Sequence, residues 1–354
     1  MVDVVTPCER TATPIREVST LHGMSIRAWQ AQQLGAPAEV LTLVEAPTPT
    51  PGPGQVRVRV RASAVNFADT LMCRGEYQVR PQPPFVPGLE VCGDVLEVGE
   101  GVTRVAVGDR VLGGTAVPHG GFATECLMDA DRTYPAPAGL DDAASAALMI
   151  SYQTGWFGLH RRAALREGET LLVHAASGGV GSAAVQLGKA AGARVIGVVG
   201  GRDKVDIAAR VGCDVVIDRK AEDIITRVKE ITDGHGADVV YDPVGGSAYT
   251  ASTKCIAFEG RIIVVGFASG QVPEPRLNHA MVKNYTILGL HWSLYEQHEP
   301  QLVQECHAEL VRLADAGLVE PLVTERFDFA DTPAALTRIA GGSSTGRIVV
   351  ESAR

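Results

Sequence analysis

No stretch of about 18 strongly apolar residues occurs in this 354-residue chain: the segment 143–160 is interrupted by Ser151, Tyr152, Gln153 and Thr154, and a glycine-rich turn breaks the next candidate. No membrane span is expected. Positive charge is also short, since the formal net charge of −9 at pH 7 argues against a nucleic-acid partner. The seven cysteines, at 8, 73, 92, 126, 213, 255 and 306, contain no C-x-x-C pair, so neither a disulfide framework nor a zinc ribbon is indicated. A reducing, cytoplasmic setting is the expectation. The first 23 residues mix Asp, Glu and Arg with Pro and Thr and lack a signal-peptide core, and they read as a loosely ordered extension. What remains is long enough for two hydrophobic cores.

The most informative segment present is Leu171-Leu-Val-His-Ala-Ala-Ser-Gly-Gly-Val-Gly181, an apolar strand running into a glycine-rich turn that opens an alanine-rich helix. Gly178 and Gly179 let the backbone approach a pyrophosphate where a Cβ would collide, and Gly181 lets helix and strand pack closely. The helix N-terminus adds free N–H groups and a positive dipole end. Against G-x-G-x-x-G, the run Ala176-Ser177-Gly178-Gly179-Val180-Gly181 has alanine first, so its context carries the reading.

That context is a strand and helix alternation. Strands are expected at 194–199, 214–217, 239–241, 261–265 and 286–290, with helices at about 182–191, 203–211, 224–231 and 246–257. Such alternation implies right-handed crossovers and a parallel, doubly wound α/β sheet of Rossmann type with its ligand at the carboxyl ends of the strands. Residues 24–147 differ: they are rich in Pro and Gly and contain the period-two run Val56-Arg-Val-Arg-Val-Arg61, which points to antiparallel strands with one wet face. The expected division is an extension at 1–23, a β-rich domain at 24–147, the nucleotide-binding domain at 148–290, and a return to the first domain at 291–354. A single long helix is expected at about 297–317.

Five segments in this order resemble the medium-chain dehydrogenase/reductase superfamily, and within it the zinc-independent quinone oxidoreductases: Ala64-Val-Asn-Phe-Ala-Asp-Thr70, Pro87-Gly-Leu-Glu-Val-Cys-Gly-Asp94, Val107-Gly-Asp-Arg-Val111, Gly120-Gly-Phe-Ala-Thr124 and His174-Ala-Ala-Ser-Gly-Gly-Val-Gly181. The resemblance implies a GroES-like catalytic domain beside the Rossmann domain, and a homodimer pairing through the strand at 286–290. Zinc alcohol dehydrogenases, which look like the same fold, place cysteine at the position of Asn66, histidine at Leu89, and cysteine or a carboxylate near Ile150. Leucine and isoleucine offer zinc no donor atom, so no catalytic metal is expected. Glu90 reads as a buried carboxylate hydrogen-bonded to backbone.

An acidic residue ending the second Rossmann strand would hydrogen-bond the adenosine ribose and repel a 2′-phosphate. Here Val199 is followed by Gly200, Gly201, Arg202, Asp203 and Lys204, an open turn with two cations. Arg219 and Lys220 stand where the family's Asn-Tyr-Arg segment contacts the phosphate. NADPH is the expected cofactor, with Asp203 and Asp218 as opposing charges and a solvated-surface role as the alternative for Arg202 and Lys204.

Hydride transfer without a metal needs an acceptor held against the nicotinamide in an apolar cleft. By resemblance, Thr154 and the backbone of Gly266 and Phe267 meet the nicotinamide, Asn66 lies beside the substrate, and Arg347 is near the cofactor phosphates. Tyr152 is a further cleft candidate, and Lys189 reads more simply as a helix-surface charge. Tyr77 either donates a proton, as in the similar enoyl-thioester reductases, or only lines the pocket. His174 reads as a packed core histidine, and Cys73 as a small apolar residue or a thiol near the pocket. The expected activity is reduction of a quinone or related conjugated carbonyl by NADPH. An enoyl-thioester reductase, and a non-catalytic NADPH-binding protein of structural or regulatory use, are the alternatives.

Overall fold

Residues 25–342 and 344–352 are described by the computed structural model, so the extension expected over 1–23 lies outside the described residues. A hairpin of β1 (Ser25–Ala31) and β2 (Leu41–Pro47) precedes a larger sheet. In that sheet β3 (Gln55–Val65), β4 (Glu90–Val98), β5 (Arg110–Thr115) and β6 (Glu125–Pro135) pair antiparallel in succession, and β6 returns to β3 to close a four-stranded barrel. The period-two run behaves as its pattern predicts. Val56, Val58 and Val60 point inward against Val91, Val95, Val111 and Met128, while Arg57, Arg59 and Arg61 face outward.

The parallel sheet consists of β7 (Thr170–His174), β8 (Arg194–Val199), β9 (Val215–Asp218), β10 (Ala237–Asp242), β11 (Ile256–Val264) and β12 (Thr286–Gly289). Its spatial order, β9-β8-β7-β10-β11-β12, reverses between β7 and β10, which is the doubly wound arrangement with a crevice at the switch point. β7 is buried on both faces, which is why it reads as a continuous apolar run rather than an alternating one.

The tail supplies β13 (Val323–Asp328) and β14 (Arg347–Glu351), and β14 pairs antiparallel with Ala62–Val65 of β3. The parallel sheet is therefore flanked in sequence by strands of one antiparallel sheet. The single long tail helix is instead two, Leu294–His298 and Pro300–Asp315. Pro300 explains the break: it has no N–H to continue the first helix, and it starts the second at a position where the N–H would go unused.

One core joins the two sheets. Leu148, Met149, Tyr152 and Phe157, on the crossover helix Met149–Trp156 and its ends, pack with Ala62, Cys92 and Leu112 from the barrel side and Leu171, Val173 and Val195 from the parallel side. This helix thereby holds residues 150–154 at a fixed height between the two sheets, where the candidate site lies.

Candidate functional site

The carboxyl edge of the parallel sheet gathers the loops singled out from sequence. Residues 175–181 follow β7, Gly200 and Gly201 follow β8, Arg219 and Lys220 follow β9, and Gly266 and Phe267 follow β11 within two or three residues. The helix Gly179–Ala190 opens with Gly178 as N-cap and no side chain capping it, which leaves its first N–H groups available to an anion. Ser177 is buried, whereas Gly178, Gly179 and Val180 remain partly exposed on the open side of the turn.

The glycines have unequal duties. A Cβ on Gly181 would collide with the carbonyl group of Ala175, so this position serves close packing of helix on strand. A Cβ on Gly179 would lie 2.8 Å from Cδ of Arg347, so this glycine also makes room for a protein side chain. Alanine at 176 has a compensation that the motif alone does not display. Its methyl group sits where a Cβ on Gly197 of β8 would fall, at 2.9 Å, so the missing side chain of the neighbouring strand admits it.

Four cations frame the turn after β8. Arg219 lies over Gly200, its Nη2 being 2.9 Å from where a Cβ there would stand, and Lys220 Nζ is 3.7 Å from the equivalent point on Gly201. Arg202 and Lys204 occupy the short 3-10 turn that follows, and none of the four has an ion-pair partner among the described residues. Asp218 bends back to accept from the N–H of Lys220 at 3.0 Å and is thus occupied within its own turn. Lys189 is a different case, since it forms a surface pair with Asp214 at 2.7 Å.

The second half of the site is a buried polar knot. Glu90, fully buried at the start of β4, accepts from Nδ2 of Asn66 at 3.1 Å, from the N–H of Ile150 at 2.9 Å and from Nη2 of Arg347. Arg347, 6% exposed, donates through Nη1 to Oδ1 of Asn66 at 3.1 Å and to Oγ of Ser151 at 2.7 Å. Burial raises the Glu90 carboxyl above its ordinary value, against the opposing pull of Arg347, the Ile150 N–H and Asn66. Arg347 is also tied to the glycine turn, because Gly346 donates to the carbonyl of Ser177 at 2.6 Å. Its guanidinium is directed at Glu90 and Asn66, and only Nε lacks a partner. The Asn66 amide is correspondingly engaged: its NH₂ also reaches the carbonyl of Ala64 at 3.2 Å, leaving one lone pair on Oδ1.

Asn66 caps the helix Phe67–Arg74, with Asp69 accepting from its N–H at 2.8 Å. Asp69 takes two further N–H bonds, from Gly88 and Leu89, yet its complete burial pushes its carboxyl up to about 7. Tyr77 lies in the loop after this helix, half-buried against the apolar cluster that includes Phe85 and Val86. Burial and the nearby Asp69 raise its phenol above the ordinary value, opposed by Arg132. Its hydroxyl has no hydrogen-bond partner among the described residues. Thr154 is 7% exposed and donates to the carbonyl of Ile150 at 2.5 Å. Phe267 is 42% exposed beside Gly245. Tyr152, by contrast, is fully buried and donates to Gln186 at 2.6 Å, which removes it from the cleft. His174 is held by Ser252 at 2.8 Å and kept neutral by burial, and the Cys73 thiol, also buried, is pushed up to about 12.

The positions that hold zinc in similar folds do converge here, around Glu90, but their donor set does not fit the metal. Asn66 presents an amide already engaged on both ends, while Leu89 and Ile150 carry no donor atom on their side chains. Among the described residues no group of three His, Cys, Asp or Glu side chains is arranged to hold a metal ion. Sequence reasoning missed Ser151, Gly197, Arg132 and Glu296; none belongs to a motif, and each is recruited by spatial adjacency.

Two family models match the chain: one described as the alcohol dehydrogenase GroES-like domain, over residues 52–138, and one as zinc-binding dehydrogenase, over residues 179–308. The chain is 40% identical to the quinone oxidoreductase-like protein 2 homolog of Nematostella vectensis over 330 residues, 93% of this chain and 89% of that protein. A probable oxidoreductase from Mycobacterium abscessus is similar in structure, with a TM-score of 0.84 at 36% identity over 93% of this chain and 99% of that one. The mycobacterial protein Rv1454c, solved as a complex with NADPH, gives a TM-score of 0.84 at 30% identity over 92% of this chain and 100% of its own.

Proposed function

Because this chain belongs to the quinone oxidoreductase family of the medium-chain dehydrogenase/reductase superfamily, we propose that it is an NADPH-dependent reductase of quinones or related conjugated carbonyls that works without zinc. The observation that carries this reading is the pairing of two features: four cations without ion-pair partners among the described residues around the Gly200–Gly201 turn, and an amide and two apolar side chains, Asn66, Leu89 and Ile150, at the positions where similar zinc enzymes hold their metal. The cofactor, when bound, supplies the hydride. Gly178, Gly179, Val180 and the helix start would hold its pyrophosphate, and Arg219 with Arg202 and Lys204 its 2′-phosphate. Thr154 and the Gly266–Phe267 backbone would flank the nicotinamide, and the Asn66 knot would fix the pocket floor.

Tyr77 supports the second reading, reduction of an enoyl thioester. A phenol held protonated by its surroundings and without a partner is suited to giving a proton to Cα after hydride has reached Cβ. A panel of a para-quinone, an ortho-quinone, a simple enone and crotonyl-CoA, assayed by NADPH oxidation with a chelator present, separates the two. Turnover of a quinone with crotonyl-CoA inert supports the first, and the reverse supports the second. In either case unchanged kcat for Tyr77→Phe would exclude the proton-donor role.

A homodimer is part of the proposal. The strand β12 pairs on one side only, with β11, and Leu277, Met281 and Val282 on the preceding helix are more than 70% exposed. Light scattering that gives a monomer at all concentrations would refute it.

A further inference from the structure

The barrel strand β6 carries a charged pair that none of the roles above uses. Arg132 on β6 donates through Nε to Glu296 at 2.8 Å, and the two terminal nitrogens of its guanidinium have no hydrogen-bond partner among the described residues. Its position follows from a glycine. Gly114 on β5 is the register partner of Glu90 on β4, and directly paired residues of an antiparallel ladder project from the same face. Gly114 has no side chain, and the Arg132 guanidinium fills the space: Nη2 lies 2.9 Å and Cζ 3.1 Å from where a Cβ would stand. Arg132 therefore rests on the same sheet face as Glu90, within roughly 8 Å of its Cβ by ladder spacing.

Glu90 is the carboxylate that holds Asn66, so the guanidinium borders the floor of the proposed substrate pocket. Tyr77 lies near enough for its phenol to feel the charge of Arg132. The Tyr77 hydroxyl and the two terminal guanidinium nitrogens of Arg132, whose Nε is held by Glu296, are thus donors without hydrogen-bond partners among the described residues.

We propose that Arg132 binds the acceptor's carbonyl oxygen and carries the negative charge that this oxygen gains during reduction. The inference rests on the reductase reading above. Hydride adds to the conjugated system with its electron pair, the C=O π pair moves onto oxygen, and the product at that stage is an enolate or a hydroquinone monoanion. A proton from solvent or from Tyr77 completes it. Arg132 is assigned no proton transfer. It contributes a fixed donor where charge develops.

The test uses 4-nitrophenolate as a stable oxyanion, titrated by its absorbance into the protein loaded with NADP+, above the probe's own pKa. Binding by the wild type should weaken roughly ten- to hundredfold in Arg132→Met and recover in part in Arg132→Lys. NADP+ affinity should be unchanged in both variants, which also verifies their folding. Equal nitrophenolate binding by wild type and Arg132→Met, or none by the wild type, would overturn the inference and leave Arg132 as a structural tie to Glu296. If binding depends on Arg132 while the wild type reduces neither quinone nor enone, the oxyanion site stands and the reductase reading falls.

Discussion

Removing Arg347 tests whether the buried knot holds the two halves of the site together. The variant Arg347→Met keeps most of the aliphatic volume that lies under Gly179 and deletes the guanidinium, leaving Glu90 fully buried with only the Asn66 amide and the Ile150 N–H as partners. Breaking a buried ion pair from one side costs about 3–5 kcal/mol, most of it the penalty of the charge left behind. Glu90→Gln should be costly for the mirror-image reason. Combining Arg347→Met with Glu90→Gln removes both charges, so the double variant should be less destabilised than the sum of the singles by about 2 kcal/mol, as measured by urea denaturation. The pH dependence has a definite sign. Burial already raises the folded Glu90 carboxyl, and without Arg347 it rises further. A group with a raised folded pKa contributes its stability below the unfolded value and loses it as pH increases. Arg347→Met should therefore fall further behind the wild type as pH rises above the ordinary carboxylate range, where the folded state holds a proton that the unfolded state releases. Additivity of the two substitutions within about 0.5 kcal/mol, or a pH-independent deficit, would refute the coupling.

Three further outcomes are expected. Gly181→Ala drives a methyl group into the Ala175 carbonyl, both fixed backbone elements, so it should cost about 1–3 kcal/mol and weaken NADPH binding measured by calorimetry; a neutral result would mean that helix and strand are not closely packed. Arg219→Ser removes a cation above Gly200 and should raise the Kd for NADPH about tenfold or more while leaving NADH unchanged, and equal losses for both cofactors would exclude a 2′-phosphate contact. His307, 3% exposed and stacked on Tyr134 at 4.1 Å, is lowered to about 4 by burial, so its neutral form stabilises the fold above the unfolded value and this is lost as pH falls through 4. Urea midpoints of His307→Leu should show an acid limb shallower than the wild type's by about 3 kcal/mol between pH 7 and pH 4, and identical limbs would show that His307 does not titrate there.

The parts of the fold legible in sequence were those whose signal is local. The alternation of Val56 to Arg61 gave β3 because one face is buried and the other wet, and the apolar run at 171–174 gave β7 because both faces are covered. The split of the tail helix was also written locally, in Pro300, but a long amphipathic pattern on either side of it obscured the stop. The closure of β3 on β6, and the pairing of β14 with β3, depend on partners 66 or more residues apart and leave no periodic trace.

The site divides along the same line. Glycines at 178, 179 and 181 announce a dinucleotide turn because close approach is needed there, by backbone at Gly181 and by the Arg347 side chain at Gly179. The destination of the Arg347 side chain could not be announced, since it depends on Glu90, Asn66 and Ser151 arriving from three separate elements. Three-dimensional placement also alters what the familiar positions do. With Asn66 bonded on both ends and Glu90 neutralised by Arg347, the floor of the pocket has little left to offer a reacting oxygen. Charge stabilisation on that oxygen must then come from the walls, which is where Tyr77 and Arg132 present donors without partners. A chain with an amide and two apolar side chains at a metal's ligand positions, beside an internally satisfied ion pair, gains rigidity at the floor, and its choice of acceptor passes to side chains around the rim.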